Sequence, residues 1–205
     1  MRVSQMVYTI IGEGIYIGEP CLLVRLSGCN LHCSWCDTPA ARRGGREVPF
    51  ARLVDKGISS PTKWILLTGG EPLLQRSTPK LISRWLEGGK NVLVETNGTV
   101  PINRIVQSGV SISMDVKTPS SGEAGKFYEE NLKYLRKNDA IKFVIADRRD
   151  FDWARNFIGN IKVKAQILFQ PAWGRISPQK LAHRIIEAKL PVRLSVQLHK
   201  IIKIE

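Results

Sequence analysis

The 205-residue chain is poor in acidic residues, histidine and cysteine, and it has no long apolar run. No stretch approaches the roughly eighteen apolar residues that span a bilayer, and no charged-then-apolar leader opens the chain, so the expectation is a cytoplasmic protein with no membrane association. Only four cysteines occur, three of them within eight positions. Neighbours that close are mostly too strained to bridge, which argues against a secreted disulfide framework and for a metal site. Only 18 Asp and Glu stand against 31 Lys and Arg, a net charge of +13. Such a surplus suits nucleic acid, an anionic substrate or an acidic protein, but the basic residues are dispersed in "ARRGGR", "IADRRD" and "LKYLRKN". They form no stripe with interleaved aromatics, and direct nucleic-acid binding is disfavoured.

What is present is an alternation of short apolar strands with amphipathic helices. Segments 21–27, 64–68, 92–96, 111–116, 140–145, 165–170 and 192–198 read as strands. Leu81, Ile82, Trp85 and Leu86, then Phe151, Ala154, Phe157 and Ile158, recur at helical spacing, and Ser177-Pro178 reads as an N-cap with a first-turn proline leading to Leu181, Ile185 and Ile186. The stretch 41–49, "ARRGGREVP", reads as the most loop-like. Strand and helix units of this kind predict a single domain over residues 1–205, of α/β class, with a mainly parallel sheet. About six units are too few for a closed eight-unit barrel, so the prediction is a partial, open β/α barrel of about six parallel strands with outer helices.

Chemistry in such folds gathers in loops after the carboxyl ends of the strands. Five suspicious loops lie there: "GCNLHCSWCDTP" after 21–27, "TGGEP" after 64–68, "ETNGT" closing 92–96, "KTPSSG" after 111–116 and "QPAWG" after 165–170. Closed structural zinc takes four protein ligands, whereas Cys29, Cys33 and Cys36 supply three. A four-iron cluster held by three thiolates leaves one iron open to bind something else. In "TGGEP", Gly69 and Gly70 admit close backbone approach to a ligand, and Glu71 can accept hydrogen bonds from an amine. Cys21, inside an apolar strand, reads as a small core residue.

The C-x-x-x-C-x-x-C spacing with Trp35 before the last cysteine, joined to "TGGEP", resembles the radical S-adenosylmethionine superfamily. The opening "YTIIGEGIYIGEPCLLVRLSGCNLHCSWCDT" resembles the 7-carboxy-7-deazaguanine synthases, and the likeness runs to "VQLHK" at 196–200. The resemblance implies a radical ring contraction of 6-carboxy-5,6,7,8-tetrahydropterin to 7-carboxy-7-deazaguanine with loss of ammonia, on the way to queuosine or archaeosine. It also implies a [4Fe-4S] cluster, S-adenosylmethionine, Mg2+, an electron donor such as a flavodoxin or ferredoxin, and a homodimer. By that resemblance Cys29, Cys33 and Cys36 hold the cluster and Thr38 a magnesium ion. Ile11, Gly12, Glu13, Arg25, Thr68, His199 and Glu205 contact the pterin; Trp35, Asp37, Gly70, Glu71, Glu95, Asn97, Ser113, Lys117, Gln170 and Trp173 contact S-adenosylmethionine.

Two positions depart from the family pattern. Ile11 stands where glutamine is common, which leaves only a backbone contact to expect there, and "SMDVK" replaces Ser-Pro-Lys. Two other readings are open at this point: an activase of a glycyl-radical enzyme, and a non-catalytic iron-sulfur module that binds nucleic acid.

Overall fold

The structure, a computed structural model, describes residues 1–204; Glu205, expected at the pterin, lies outside them. Nine strands occur in chain order: β1 (Arg2–Ile10), β2 (Pro20–Leu26), β3 (Arg46–Glu47), β4 (Trp64–Gly69), β5 (Asn91–Thr96), β6 (Val110–Asp115), β7 (Ala140–Ile145), β8 (Gln166–Pro171) and β9 (Arg193–Leu194). They form one open sheet in the order β3-β1-β2-β4-β5-β6-β7-β8-β9. From β2 through β4 to β9 all pairings are parallel, while β1 runs antiparallel to both β2 and β3. The partial barrel of about six parallel strands is therefore present, with a two-residue seventh strand where 192–198 was expected to extend.

Helices α1 (Ala40–Arg43), α2 (Phe50–Ile58), α3 (Thr78–Glu87), α4 (Arg148–Gly159), α5 (Pro178–Glu187) and α6 (Leu198–Ile201) complete the regular structure. Four of them, α2 to α5, bury apolar faces. The crossovers from β5 to β6 and from β6 to β7 use only 3-10 turns. Segment 41–49 contains most of α1 and all of β3, so it is more ordered than its glycines and arginines suggested. The Ser177 side chain caps α5 by accepting from Lys180 N at 3.2 Å, with Pro178 at the first helical position. Trp85 of α3 is fully buried, and its Nε1 donates to Leu53 O of α2 at 3.1 Å. A Cβ at Gly57 of α2 would fall on that indole, so the glycine is what lets the two helices close.

Each strand has two faces. Leu22, Val24 and Leu26, Ile65 and Leu67, Val92 and Val94, Ile112 and Met114, and Ile141, Phe143 and Ile145 join one core on the helix-covered side. The alternate residues face the concave side. There Ile11, Cys21, Leu23, Leu66 and Leu93, with the rings of Tyr16 and Trp64 tilted against each other at 4.2 Å, plug the amino-terminal end. Cys21 is a core residue, as its strand context predicted, and burial followed by the nearby Glu95 charge pushes its thiol up to about 12. Further along the concave face the side chains turn polar: Arg25 pairs in register with Thr68, Glu95 with Ser113, Asp115 with Lys142, and Val144 with Gln170.

Candidate active site

The polar concave face and the carboxyl-end loops enclose a cavity of about 760 Å³. Its wall includes Cys29, Cys33, Trp35, Cys36, Asp37 and Thr38 from the cysteine loop, Gly12 and Glu13 from the loop after β1, Arg25 and Thr68 from β2 and β4, and Gly70, Glu95, Asn97, Lys117, Gln170, Trp173 and His199. Three residues expected at a ligand are elsewhere. Ile11 is fully buried in the plug, with its N–H donating to Glu19 O and its carbonyl accepting from Gly18 N, both at 2.8 Å. Its backbone is engaged in closing its own loop. Ser113 is buried below the wall, in register between Glu95 and Ala140.

Glu71 is the third. It is fully buried and accepts from Asn97 N at 2.7 Å, Leu73 N at 3.0 Å and Thr96 Oγ1 at 2.9 Å. These bonds clamp the loop after β4 to the loop after β5. Burial pushes its carboxyl upward despite those bonds. Gly69 and Gly70 serve a second joint, to β2 and the loop that follows it: a Cβ on Gly69 would overlap Leu26 O, and one on Gly70 would overlap Gly28 O and the Cys29 side chain. The close approach expected toward a ligand is made toward the cysteine loop, with Glu71 N donating to Gly28 O at 2.7 Å.

The cysteine loop is held from several sides. Arg42 Nη2 donates to Cys33 O at 2.8 Å, His32 N donates to Glu123 Oε1 at 2.6 Å, and Ser34 donates from N and Oγ to Ser121 O and Ser120 O. Asn97 Nδ2 donates to Asn30 Oδ1 at 3.2 Å and approaches Cys29 Sγ at 3.9 Å. All four cysteines are free, and the three in this loop are partly accessible at the cavity. Burial pushes the Cys33 thiol up, opposed by the Lys117 charge. The donor set fits an iron-sulfur cluster, since three unpaired thiols share one wall with no fourth protein thiol among them. Among the described residues no three His, Cys, Asp or Glu groups gather around a single ion point. Two buried polar atoms nearby, Trp35 Nε1 and Asp115 Oδ1, have no partner among the described residues. They are a donor and an acceptor that a bound polar molecule would satisfy.

The floor is a network of charges. Lys142, 5% exposed in the middle of β7, forms an ion pair with Glu13 and lies 3.8 Å from Asp115, which pairs with Lys117 at 2.9 Å. The second Glu13 oxygen accepts from Gln170 Nε2 at 2.7 Å. Thr68 Oγ1 donates to Glu95 Oε2 at 2.9 Å, and Arg25 Nε donates to Gln5 Oε1 at 3.1 Å. Residues assigned by resemblance to different ligands, Gln170 with Glu13 and Glu95 with Thr68, are thus direct neighbours on one floor. Burial alone would push Glu13 up, but the Lys142 ammonium and the bonds from Lys142 and Gln170 outweigh it and hold the carboxyl below its ordinary value. Glu95 is pushed up, first by burial and then by the Glu13 charge. Burial opposes the charge on Lys142, yet Glu13, Asp115 and Glu95 together raise it.

Sequence reading missed Lys142, Asp115 and Gln5. The signal for Lys142 was a lysine on the alternate face of an otherwise apolar "AIKFVI". The carboxyl-terminal segment packs against Gly12 and Asp37 at the edge of the cavity. Leu198 N donates to Gly12 O at 2.7 Å, His199 packs where a Gly12 Cβ would be, and Lys200 pairs with Asp37 at 3.2 Å while standing over the Trp173 ring.

Residues 23–146 match the Radical SAM superfamily. Over 203 residues the chain is 41% identical to a 7-carboxy-7-deazaguanine synthase of Thermoplasma acidophilum, covering 98% of this chain and 97% of that protein. It is 39% identical to one of Methanospirillum hungatei, covering 98% of this chain and 85% of that protein. The crystal structure of QueE from Escherichia coli superposes with a TM-score of 0.77 at 22% identity, covering 97% of this chain and 94% of that one, which shows a shared fold. With thiol loop, open parallel barrel and full-length similarity in agreement, the chain belongs to the 7-carboxy-7-deazaguanine synthase family of the radical S-adenosylmethionine superfamily.

Proposed function

We propose that this cavity converts 6-carboxy-5,6,7,8-tetrahydropterin to 7-carboxy-7-deazaguanine with release of ammonia, the family's reaction in 7-deazapurine biosynthesis. The observation that carries the reading is the meeting of three free thiols with a floor of Glu13, Arg25, Thr68 and Glu95 in one cavity at the carboxyl ends of the parallel strands. Cys29, Cys33 and Cys36 would hold a [4Fe-4S] cluster. Trp35, Asn97, Lys117 and Trp173 line the wall adjoining them and would hold S-adenosylmethionine. When bound, these two cofactors supply reductive cleavage to a carbon radical that abstracts hydrogen from the pterin.

The chain's own residues bind and orient. Arg25, on the concave face of β2, can grip the substrate carboxylate with its planar guanidinium. Glu13 accepts from ring N–H groups, and Thr68 and Glu95 add hydrogen-bonding atoms on the floor. Thr38 Oγ1 lies 3.3 Å from Asp37 Oδ1 at the wall, an oxygen pair suited to a hard cation such as Mg2+ that keeps several waters. The 197–204 segment, packed on Gly12 and tied to Asp37, covers the pterin side and limits water access.

Arg42 and Arg43 beside the cysteine loop, with the chain's net charge of +13, support an acidic electron-donor protein such as a flavodoxin or ferredoxin. Among the described residues no helix is long and apolar enough to cross a membrane, and a pathway that uses a pterin supports a cytoplasmic setting. A homodimer rests on the prevalence of two-fold oligomers.

The test is an anaerobic assay of reconstituted protein with dithionite, S-adenosylmethionine, Mg2+ and 6-carboxy-5,6,7,8-tetrahydropterin, read by mass spectrometry. Appearance of 7-carboxy-7-deazaguanine with 5'-deoxyadenosine is the expected result. 5'-Deoxyadenosine without the deazapurine, from intact cluster and substrate, would overturn the substrate assignment and leave the radical chemistry standing.

A further inference from the structure

Lys142 is a buried ammonium that the reading above does not use. A charge at 5% exposure is costly unless it is paired, so its partners show what it is for. The nearest is Glu13, on a loop with no regular structure between β1 and a 3-10 turn at Gly14–Tyr16. That loop has little to fix a side chain by itself. Lys142 takes one Glu13 oxygen from β7, and Gln170 takes the other from β8 at 2.7 Å. Gln170 is held in turn, its Oε1 accepting from Ser195 Oγ at 3.1 Å, while Ser195 Oγ accepts from Gly14 N at 3.1 Å. Both oxygens are thereby fixed by neighbouring strands, at the wall of the cavity.

A carboxylate with both oxygens fixed still has lone pairs to offer. It suits a ligand edge that presents two adjacent N–H donors, such as the ring N–H and exocyclic amine of a 2-amino-4-oxo heterocycle. An analogue with a carbonyl in place of that amine sets an acceptor against the carboxylate and leaves buried polar groups unpaired, the situation that produces strong discrimination.

We propose that Lys142 is a positioning residue for substrate selection: by clamping Glu13 from β7 it presents a fixed two-oxygen acceptor that admits 2-amino pterins and rejects their 2-oxo counterparts. The proposal rests on the pterin reading above. Its reach is centred on the substrate half of the cavity, because Lys142 pairs directly with Glu13 and meets the cysteine-loop side at longer range, through Asp115 and Lys117 and through its charge on Asp37.

The experiment is equilibrium binding of two fluorescent probes, 6-carboxypterin and 6-carboxylumazine, to the reconstituted protein, with S-adenosylmethionine affinity and cluster absorbance measured on the same samples. Wild-type protein should prefer the pterin by at least about tenfold. Lys142→Gln should weaken pterin binding by about tenfold or more and reduce the preference below about threefold, with S-adenosylmethionine affinity within about twofold and the cluster spectrum unchanged. The double variant Glu13→Gln/Lys142→Gln should match Glu13→Gln alone, since the lysine acts through the glutamate. The double variant leaves no unpaired charge on the Glu13 pair, so it carries the test if Lys142→Gln does not fold. An unchanged preference in Lys142→Gln, a parallel loss of S-adenosylmethionine affinity, or further loss in the double variant beyond Glu13→Gln would each overturn the proposal. If wild-type protein bound neither probe, the pterin reading and this inference would fall together; wild-type selectivity that survives Lys142→Gln removes the inference alone.

Discussion

The two faces of the same six long parallel strands follow opposite rules. Toward the helices the inward side chains are apolar except Thr96 at the end of β5, which bonds Glu71, and Phe143, Phe151, Trp153, Phe157 and Phe169 meet edge to face or stacked at 5.3–6.3 Å. Toward the cavity the alternate positions carry Arg25, Glu95, Asp115 and Lys142, whose burial costs free energy that the helix-facing core must offset. One face specifies the fold and the other is assembled for ligands. Substitutions on the two faces should therefore separate stability from activity.

The sharpest break is at the thiols. Cys29→Ala, Cys33→Ala or Cys36→Ala should reduce 5'-deoxyadenosine formation to background while the far-ultraviolet circular dichroism of the protein is retained. On the opposite face, Trp85→Ala should cost about 3–5 kcal/mol in a denaturant titration. Turnover per folded, cluster-loaded molecule should remain near wild type, because Trp85 lies in the helix-side core against Leu53 and Gly57 and does not line the cavity; a matching loss of turnover would mean the faces are not independent.

A subtler break is at Gly12. Its alanine variant places a Cβ on the His199 ring, so the 197–204 segment must shift. The expected outcome is a several-fold rise in KM for the pterin with S-adenosylmethionine affinity preserved. Equal loss of both would assign the segment to general stability.

The smallest effect sharpens the comparison within the cavity itself. Glu95 is raised above its ordinary 4.5 by burial and by Glu13, so it favours the folded state below that value and loses that contribution as pH rises through its folded value. Glu13 is lowered: its contribution is present above its ordinary value and is lost as pH falls through its folded one. Glu95→Gln should accordingly raise the melting midpoint of the cofactor-free protein at pH 7 by a few degrees and change it little near pH 4, with activity reduced. A lowered midpoint at pH 7 would show that Glu95 is well paired there.

Local chemistry was the legible part of the sequence. The cysteine loop reads directly because its thiols are spaced along eight residues, and the parallel strands read from their short apolar runs. β1 was missed because "RVSQMVYTI" mixes polar residues into both faces. Its backbone edge pairs with β2, which turns Gln5 and Thr9 toward the cavity, a relation visible only after pairing. Glu71 and Ile11 were placed at ligands because a motif records which residues recur, not whether they touch the ligand or hold the loops that do. Lys142 escaped because its partners, Glu13 and Asp115, are 129 and 27 positions away, and only the sheet brings them to one floor.

The most direct test of a single cavity holding both ligands is the fate of one hydrogen. With 6-carboxy-5,6,7,8-tetrahydropterin deuterated at C6, mass spectrometry of the 5'-deoxyadenosine formed in the first turnover should show one added deuterium. Nucleoside that carries only unlabelled hydrogen, alongside intact labelled pterin, would contradict the account, because it would mean that the pterin does not lie against the site where the radical forms.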